Sequence, residues 1–104
     1  MHVTVIDHTE ASRYELLEDG IVAGIEDYEL DGDRMALIHT EIFEGHAGKG
    51  YARTLVDEVL ADVRRRGLGV VPRCPYVAKV IRESPELYLD LVPTELRAAF
   101  DLPH

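Results

Sequence analysis

Across residues 40–52 the apolar residues of this chain change their period, and few folds accommodate the change. Before it, apolar and polar side chains alternate in short runs separated by Asp-Gly turns. After it, Ala52, Leu55, Val56, Val59, Leu60 and Val63 recur at intervals of three and four, the apolar stripe of an amphipathic helix. A sheet must therefore hand over to a long helix through a single connection. The chain has 104 residues in which to do so, about one domain with a modest core. No repeat, linker or low-complexity tract divides it, so a single domain over residues 1–104 is expected.

The sheet reads as a meander. Residues 3–6 and 13–17 form two strands, the second closed by Asp19-Gly20, a two-residue hairpin signal because glycine tolerates the positive φ such turns require. Residues 21–28 form a third strand, with Ile21, Ala23 and Ile25 on one face. Asp31-Gly32-Asp33 turns the chain into a fourth, residues 35–43. Strict alternation puts Ala36, Ile38, Thr40 and Ile42 on one of its faces and Leu37, His39, Glu41 and Phe43 on the other. The helix ends in Arg64-Arg65-Arg66, cations where its dipole favours them, followed by Gly67 as a C-cap. Residues 69–71 are a short strand bounded by Pro72. Residues 76–82 are a short helix with Tyr76, Val77, Val80 and Ile81 inward, stopped by Pro85, and 86–92 form one more turn. Residues 93–104 are a tail in which Leu96, Phe100 and Leu102 either dock or fray. The order is α+β, a mostly antiparallel mixed sheet with one long helix, short C-terminal helices and a parallel final step.

Charge narrows the partners. The formal charge is −9, unevenly placed: residues 1–44 carry −10, 45–82 carry +5 and 83–104 carry −4. An anion-attracting segment beside a cation-attracting one is one reading; acids that simply solvate a sheet face are the other. A net acidic chain repels duplex phosphates, so no nucleic-acid partner is expected. No apolar run reaches the ~18–20 residues of a membrane span, and the start lacks the basic and apolar regions of a signal peptide. The single cysteine, Cys74, builds no internal disulfide and no cysteine-based zinc site. The expectation is a cytoplasmic protein, monomer or homodimer, with no metal.

The chemistry concentrates in Glu44-Gly45-His46-Ala47-Gly48-Lys49-Gly50-Tyr51-Ala52, between strand and helix. Its glycines let the backbone approach a ligand, and the helix start aims unpaired N–H groups and a positive dipole end at it. Lys49 and Arg53 add full charges. A pyrophosphate is the natural occupant; a plain connector is the alternative. The segment is neither a Walker loop nor a dinucleotide fingerprint.

Here the sequence resembles the GCN5-related N-acetyltransferase superfamily. Its acetyl-coenzyme A signature, Gln/Arg-x-x-Gly-x-Gly/Ala, aligns with Ala47-Gly48-Lys49-Gly50-Tyr51-Ala52; Gly50 and Ala52 match, and Ala47 replaces the Gln or Arg. The chain is more closely similar to a short, minimal subfamily with a Cys-Pro motif that lacks the superfamily's first helices. That likeness spans residues 12–92. It rests on His39-Thr40-Glu41, the glycine turn, Arg66-Gly67-Leu68, Val70-Val71-Pro72-x-Cys74-Pro75-Tyr76-Val77 and Ser84-Pro85-Glu86 with Tyr88. The resemblance implies coenzyme A entering between strands four and five, the backbone of Ile42 and Phe43 meeting its pantetheine arm, and residues 47–53 holding its pyrophosphate. Tyr76, Lys79 and Arg82 join the expected cofactor contacts.

Acyl transfer to an amine needs a neutral acceptor, a stabilised carbonyl oxygen and a tolerated or protonated thiolate. The subfamily carries a cysteine at Cys74, where it is a covalent acyl relay, a thiol proton donor or a packing residue. A thiol ordinarily titrates near about 8.5, so a nucleophilic role asks for an activating neighbour. His39 and Glu41 share a strand face and either take the ammonium proton or form a solvated pair. His46 suits phosphate better than chemistry. The superfamily's usual tyrosine acid falls at Arg82 and its asparagine at Pro75, which shifts attention to Cys74 or, more weakly, Tyr88. The expected activity is transfer of acetyl from acetyl-coenzyme A to a primary amine, on a small molecule or a lysine side chain, with a cationic acceptor suited to the acidic N-terminal half. The competing readings are a coenzyme A-binding regulatory module without catalysis and a structural protein whose loop holds nothing.

Overall fold

The computed structural model describes residues 2–104. Strands β1 (Val3–His8), β2 (Arg13–Glu18), β3 (Ile21–Asp31) and β4 (Arg34–Ile42) pair antiparallel in sequence order, and β5 (Gly69–Pro72) joins β4 in parallel. Helix α1 (Tyr51–Arg65) makes the crossover between β4 and β5, and α2 (Pro75–Glu83) and α3 (Pro85–Tyr88) follow. A 3₁₀ turn at Thr9–Ala11 links β1 to β2, and two more, Leu89–Leu91 and Thr94–Phe100, complete the chain. The expected α+β order with its parallel last step is observed. The tail docks: Leu102 is buried against the core.

The helix stripe explains why the sheet is covered on one face. Leu55, Val56, Val59, Leu60 and Val63 are fully buried with Leu16, Met35, Leu37 and Val70 of the sheet and Val77, Val80 and Ile81 of α2. Each such side chain contributes roughly 1.5–3 kcal/mol, an upper range because unfolded chains already hide some surface. On α2, Ala78 is buried while Tyr76, expected inward, is only half-buried. The terminal arginines of α1 do more than answer its dipole. Arg64 grips Asp90 through two nitrogens, at 2.7 and 3.0 Å, and reaches the Leu87 carbonyl, tying α1 to the C-terminal turns.

Two β-bulges overturn the expected strand faces. Opposite Leu16 and Leu17 stand Gly24 and Val22, so Ala23 is an extra residue in β3. Ile21 lies at the hairpin rim, 65% exposed, and Ala23 joins the core cluster while Ile25, registered opposite Glu15 and Glu41, does not, so the three residues expected on one face are separated. Opposite Asp27 and Tyr28 stand His39 and Leu37, so Ile38 is extra in β4. An unpaired extra residue inverts the alternation beyond it. The face predicted from Ala36 to Ile42 is therefore broken: Met35 and Leu37 are core side chains before the bulge, and Thr40 and Ile42 turn inward after it, leaving His39 and Glu41 outside.

Candidate active site

The loop entering α1 is built from glycines in the left-handed region: Gly45 at φ 91°, Gly48 at 80° and Gly50 at 76°. Gly50 is the N-cap of α1, and no side chain caps the helix start. Space is open where a Cβ would stand on each of these three glycines. The first-turn amides thus carry no side-chain cap and have the positive end of a 15-residue helix behind them. Ala47, Gly48 and Lys49 line its approach as exposed residues, and Ala52 follows in the first turn.

The cations expected to reinforce that end are engaged elsewhere. Lys49 Nζ lies 2.8 Å from Glu18 Oε2, His46 Nδ1 is 2.7 Å from Glu18 Oε1, and the buried Tyr51 hydroxyl donates to the same carboxylate. Hydrogen bonds from Lys49 first, then Tyr51 and His46, hold Glu18 down at about 2 despite desolvation. Tyr51, bonded to that carboxylate, is pushed up to about 12. Arg53 runs along the helix instead of toward the loop, with Nε 3.0 Å from Asp57 and a terminal nitrogen 3.3 Å from Ser84 Oγ. Arg82 donates to the Phe100 and Asp101 carbonyls at 2.9 Å, fastening the tail. Lys79 is exposed on α2. The basic segment is thus largely paired within the protein, and an anion at the loop would be met chiefly by backbone amides.

Beside the loop the sheet parts. β4 and β5 pair only over Arg34–Leu37 and Gly69–Pro72, and the Cys74 amide makes a last bond to the Leu37 carbonyl at 2.8 Å. Pro72 and Pro75, which lack amide donors, flank this point. Beyond it no strand among the described residues pairs with that edge of β4. Phe43 gives its N–H to the Ala23 carbonyl, so the antiparallel alternation turns the peptide groups of Ile42 to the open edge. Of the two residues expected to offer backbone there, Ile42 presents it and Phe43 is committed to β3. Gly24 is needed opposite: a Cβ there would lie 2.6 Å from Ile42 Cδ1 and 3.0 Å from the Glu41 carbonyl.

Cys74 is buried at the mouth of the opening, its Sγ 3.1 Å from Thr40 Oγ1. Thr40 in turn donates to Glu26 Oε1. Glu26 is fully buried, and desolvation pushes its carboxyl up to about 8, with Asp27 adding to the rise and the Thr40 hydroxyl and the His39 backbone amide opposing it. His39 and Glu41 leave the outer face of β4, exposed, with Nε2 and Oε1 3.2 Å apart. The strand therefore does not bring Cys74, His39 and Glu41 together. Tyr88 donates to Asp57 at 2.5 Å, and burial followed by that bond pushes its phenol up to about 12. Tyr76 is raised mainly by burial.

Sequence reasoning missed Glu18, Glu26 and Thr40. Their shared signal is an even-numbered face: Tyr14, Leu16 and Glu18 on β2, with Glu26 registered opposite Tyr14. Among the described residues, no group of three or more His, Cys, Asp or Glu is able to hold a metal, and no helix is long and apolar enough to cross a membrane.

No curated protein matches the chain. Among solved structures it is similar to the crystal structure of the ribosomal-protein-S18-alanine N-acetyltransferase from Escherichia coli, with a TM-score of 0.52 and 17% identity. The match covers 56% of this chain and only 38% of that one, and at this identity it speaks for the fold alone. The sequence model described as GCN5-related N-acetyl-transferase matches residues 13–91, spanning β2 to the turn after α3, and the chain belongs to that family.

Proposed function

We propose that the protein is an acetyl-coenzyme A-dependent N-acetyltransferase that acetylates a primary amine, on a small molecule or a lysine side chain. The observation that carries the reading is the start of α1, uncapped by any side chain, behind open left-handed glycines and beside an unpaired edge of β4. Amides there suit a diphosphate, and the Ile42 peptide groups suit an extended amide-bearing arm. Acetyl-coenzyme A supplies an acyl group already activated as a thioester. The residues of the chain do the rest. Amides of Tyr51, Ala52 and Arg53 bind the diphosphate, and Ile42 orients the arm along β4. Cys74 stands at the mouth of the opening with Thr40 behind it. The exposed His39–Glu41 pair takes the proton of an ammonium acceptor approaching from the outer face.

The acidic N-terminal half favours a cationic acceptor through its exposed carboxylates, among them Glu29, Asp31, Asp33, Glu41 and Glu44. A regulatory module that binds coenzyme A without turnover is the second reading. It is favoured by Arg82, which occupies the superfamily's tyrosine position and holds backbone carbonyls instead. Calorimetry with acetyl-coenzyme A followed by a thiol-release assay over an amine panel decides. Binding with release for an amine supports the enzyme; binding without release for any amine supports the module; no binding overturns both.

A further inference from the structure

Glu26 places a carboxyl group where the packing of the sheet has no use for one. It is fully buried, registered between Tyr14 of β2 and Thr40 of β4, and its Oε2 has no hydrogen-bond partner among the described residues. An orphaned buried oxygen is costly, and an apolar side chain at this position would avoid that cost. Its other oxygen accepts from Thr40, whose hydroxyl oxygen also lies 3.1 Å from Cys74 Sγ. The three side chains form one unbroken line from the interior of the sheet to the sulfur at the opening between β4 and β5.

We propose that Glu26 is a positioning residue that exchanges a proton with Cys74 through Thr40 and so sets whether the sulfur stands as thiol or thiolate. The proposal rests, for its use in catalysis, on the reading of this opening as the acyl-transfer site. In the forward shift, which starts with Glu26 as the carboxylate and Cys74 as the thiol, the Cys74 S–H bond breaks and its proton passes to Thr40 Oγ1. The Thr40 O–H bond breaks as that proton passes to Glu26 Oε1, and the electron pair left on sulfur makes the thiolate. Thr40 ends as the neutral hydroxyl it began, and the reverse shift returns the proton to sulfur. No further reactant is needed.

The surroundings agree with a proton shared inside the protein. Burial lifts the Glu26 carboxyl to about 8, so near neutral pH it is basic enough to hold a proton handed along this line. The charged groups nearby are committed or turned away. Asp27, on the same strand, favours the protonated carboxyl. The Tyr14 hydroxyl across on β2 is given to Asp62, and Tyr51 of α1 to Glu18. His39 and Glu41 of β4 leave the opposite face, and Lys79 and Arg82 of α2 are exposed.

Cys74 is the only cysteine, so the ultraviolet absorbance of the ligand-free protein, less that of Cys74→Ala to remove the five tyrosines, reports its thiolate. In the wild type, thiolate should appear in two steps separated by more than about one pH unit, because the second proton must leave against a negative charge already present. Glu26→Gln should give one step. Thr40→Val should lose the thiolate amplitude of the lower step, and Thr40→Ser should restore it. The Thr40 pair carries the test if Glu26→Gln fails to fold. Coincident single-step curves for wild type, Glu26→Gln and Thr40→Val would overturn the relay. Because no coenzyme is present, two steps in a protein that fails to bind acetyl-coenzyme A would uphold the relay and sink the transferase reading. Single steps in a protein that binds it would do the reverse.

Discussion

Lys49 of the glycine loop lies 2.8 Å from Glu18 of β2, so the loop proposed to receive an anion is pinned by one of the protein's own carboxylates. The pinning has a definite acid limit. Glu18 is held at about 2 against an ordinary value of 4.5, so the native carboxylate binds fewer protons than the unfolded chain between those values. Its contribution to stability is present in full above about 4.5 and is lost as the pH falls toward about 2. Glu18→Gln should therefore melt below the wild type by a constant margin from about pH 7 down to about 4.5, and the margin should close as the pH nears 2. A margin that persists unchanged to about pH 2 would mean that the charge does not hold the loop.

Gly50 and Gly45 separate strain from recognition. Both adopt left-handed backbone with open space at the Cβ position, so alanine at either costs about 1–2 kcal/mol of conformational strain without a clash. Only Gly50 opens α1. A methyl group there intrudes on the amides proposed to bind the diphosphate. We expect Gly50→Ala to weaken acetyl-coenzyme A binding about tenfold beyond Gly45→Ala, a difference of about 1.4 kcal/mol by calorimetry. Equal losses at both positions would assign the effect to loop strain.

How much of this could be read from the sequence follows from which signals are periodic. The α1 stripe, the Asp-Gly hairpin and the glycine run before the helix are local, and each element lies close to where it is expected. The inversion at Ile38 is not local. Alternation holds within each half of β4, and only the pairing with β3 shows that one residue has been added. That inversion decides whether Thr40 points to Cys74 or to solvent, so the partner of the cysteine was hidden. The partners of the loop cations are hidden for a similar reason. Lys49 and His46 meet Glu18 across 31 and 28 residues of chain, a relation no spacing rule encodes. Arg53 finds Asp57 at i+4, a pairing the helix stripe would have allowed one to read.

Gly24 is where the fold leaves least room for change. Its Cβ would meet a flexible methyl of Ile42 at 2.6 Å but also the Glu41 carbonyl of the backbone at 3.0 Å. The side chain can rotate; the carbonyl moves only with β4. Gly24→Ala should lower the urea midpoint by an amount corresponding to about 1–3 kcal/mol, with the denaturant slope unchanged. Because Ile42 forms the open edge, acetyl-coenzyme A affinity should fall with it. Full stability in Gly24→Ala would show that β4 yields and that the close approach is not a constraint.

Glu26 should make the protein less stable as the solution becomes more alkaline, opposite in sign to Glu18. Burial raises its carboxyl from 4.5 to about 8, so between those values the native state binds the proton that the unfolded chain has released. Stability from this group is complete below about 4.5 and declines as the pH rises through about 8, with a slope of up to about 1.4 kcal/mol per pH unit. Glutamine keeps the size of the side chain and a neutral group at the oxygen that meets Thr40, but it cannot ionise. Urea unfolding of Glu26→Gln should show this slope removed, and the variant should overtake the wild type at the alkaline end of the window. Parallel pH profiles for the two proteins would mean that the Glu26 carboxyl is not raised in the native state, and a carboxylate of ordinary strength would be too weak a base to take the proton of the sulfur it is proposed to serve.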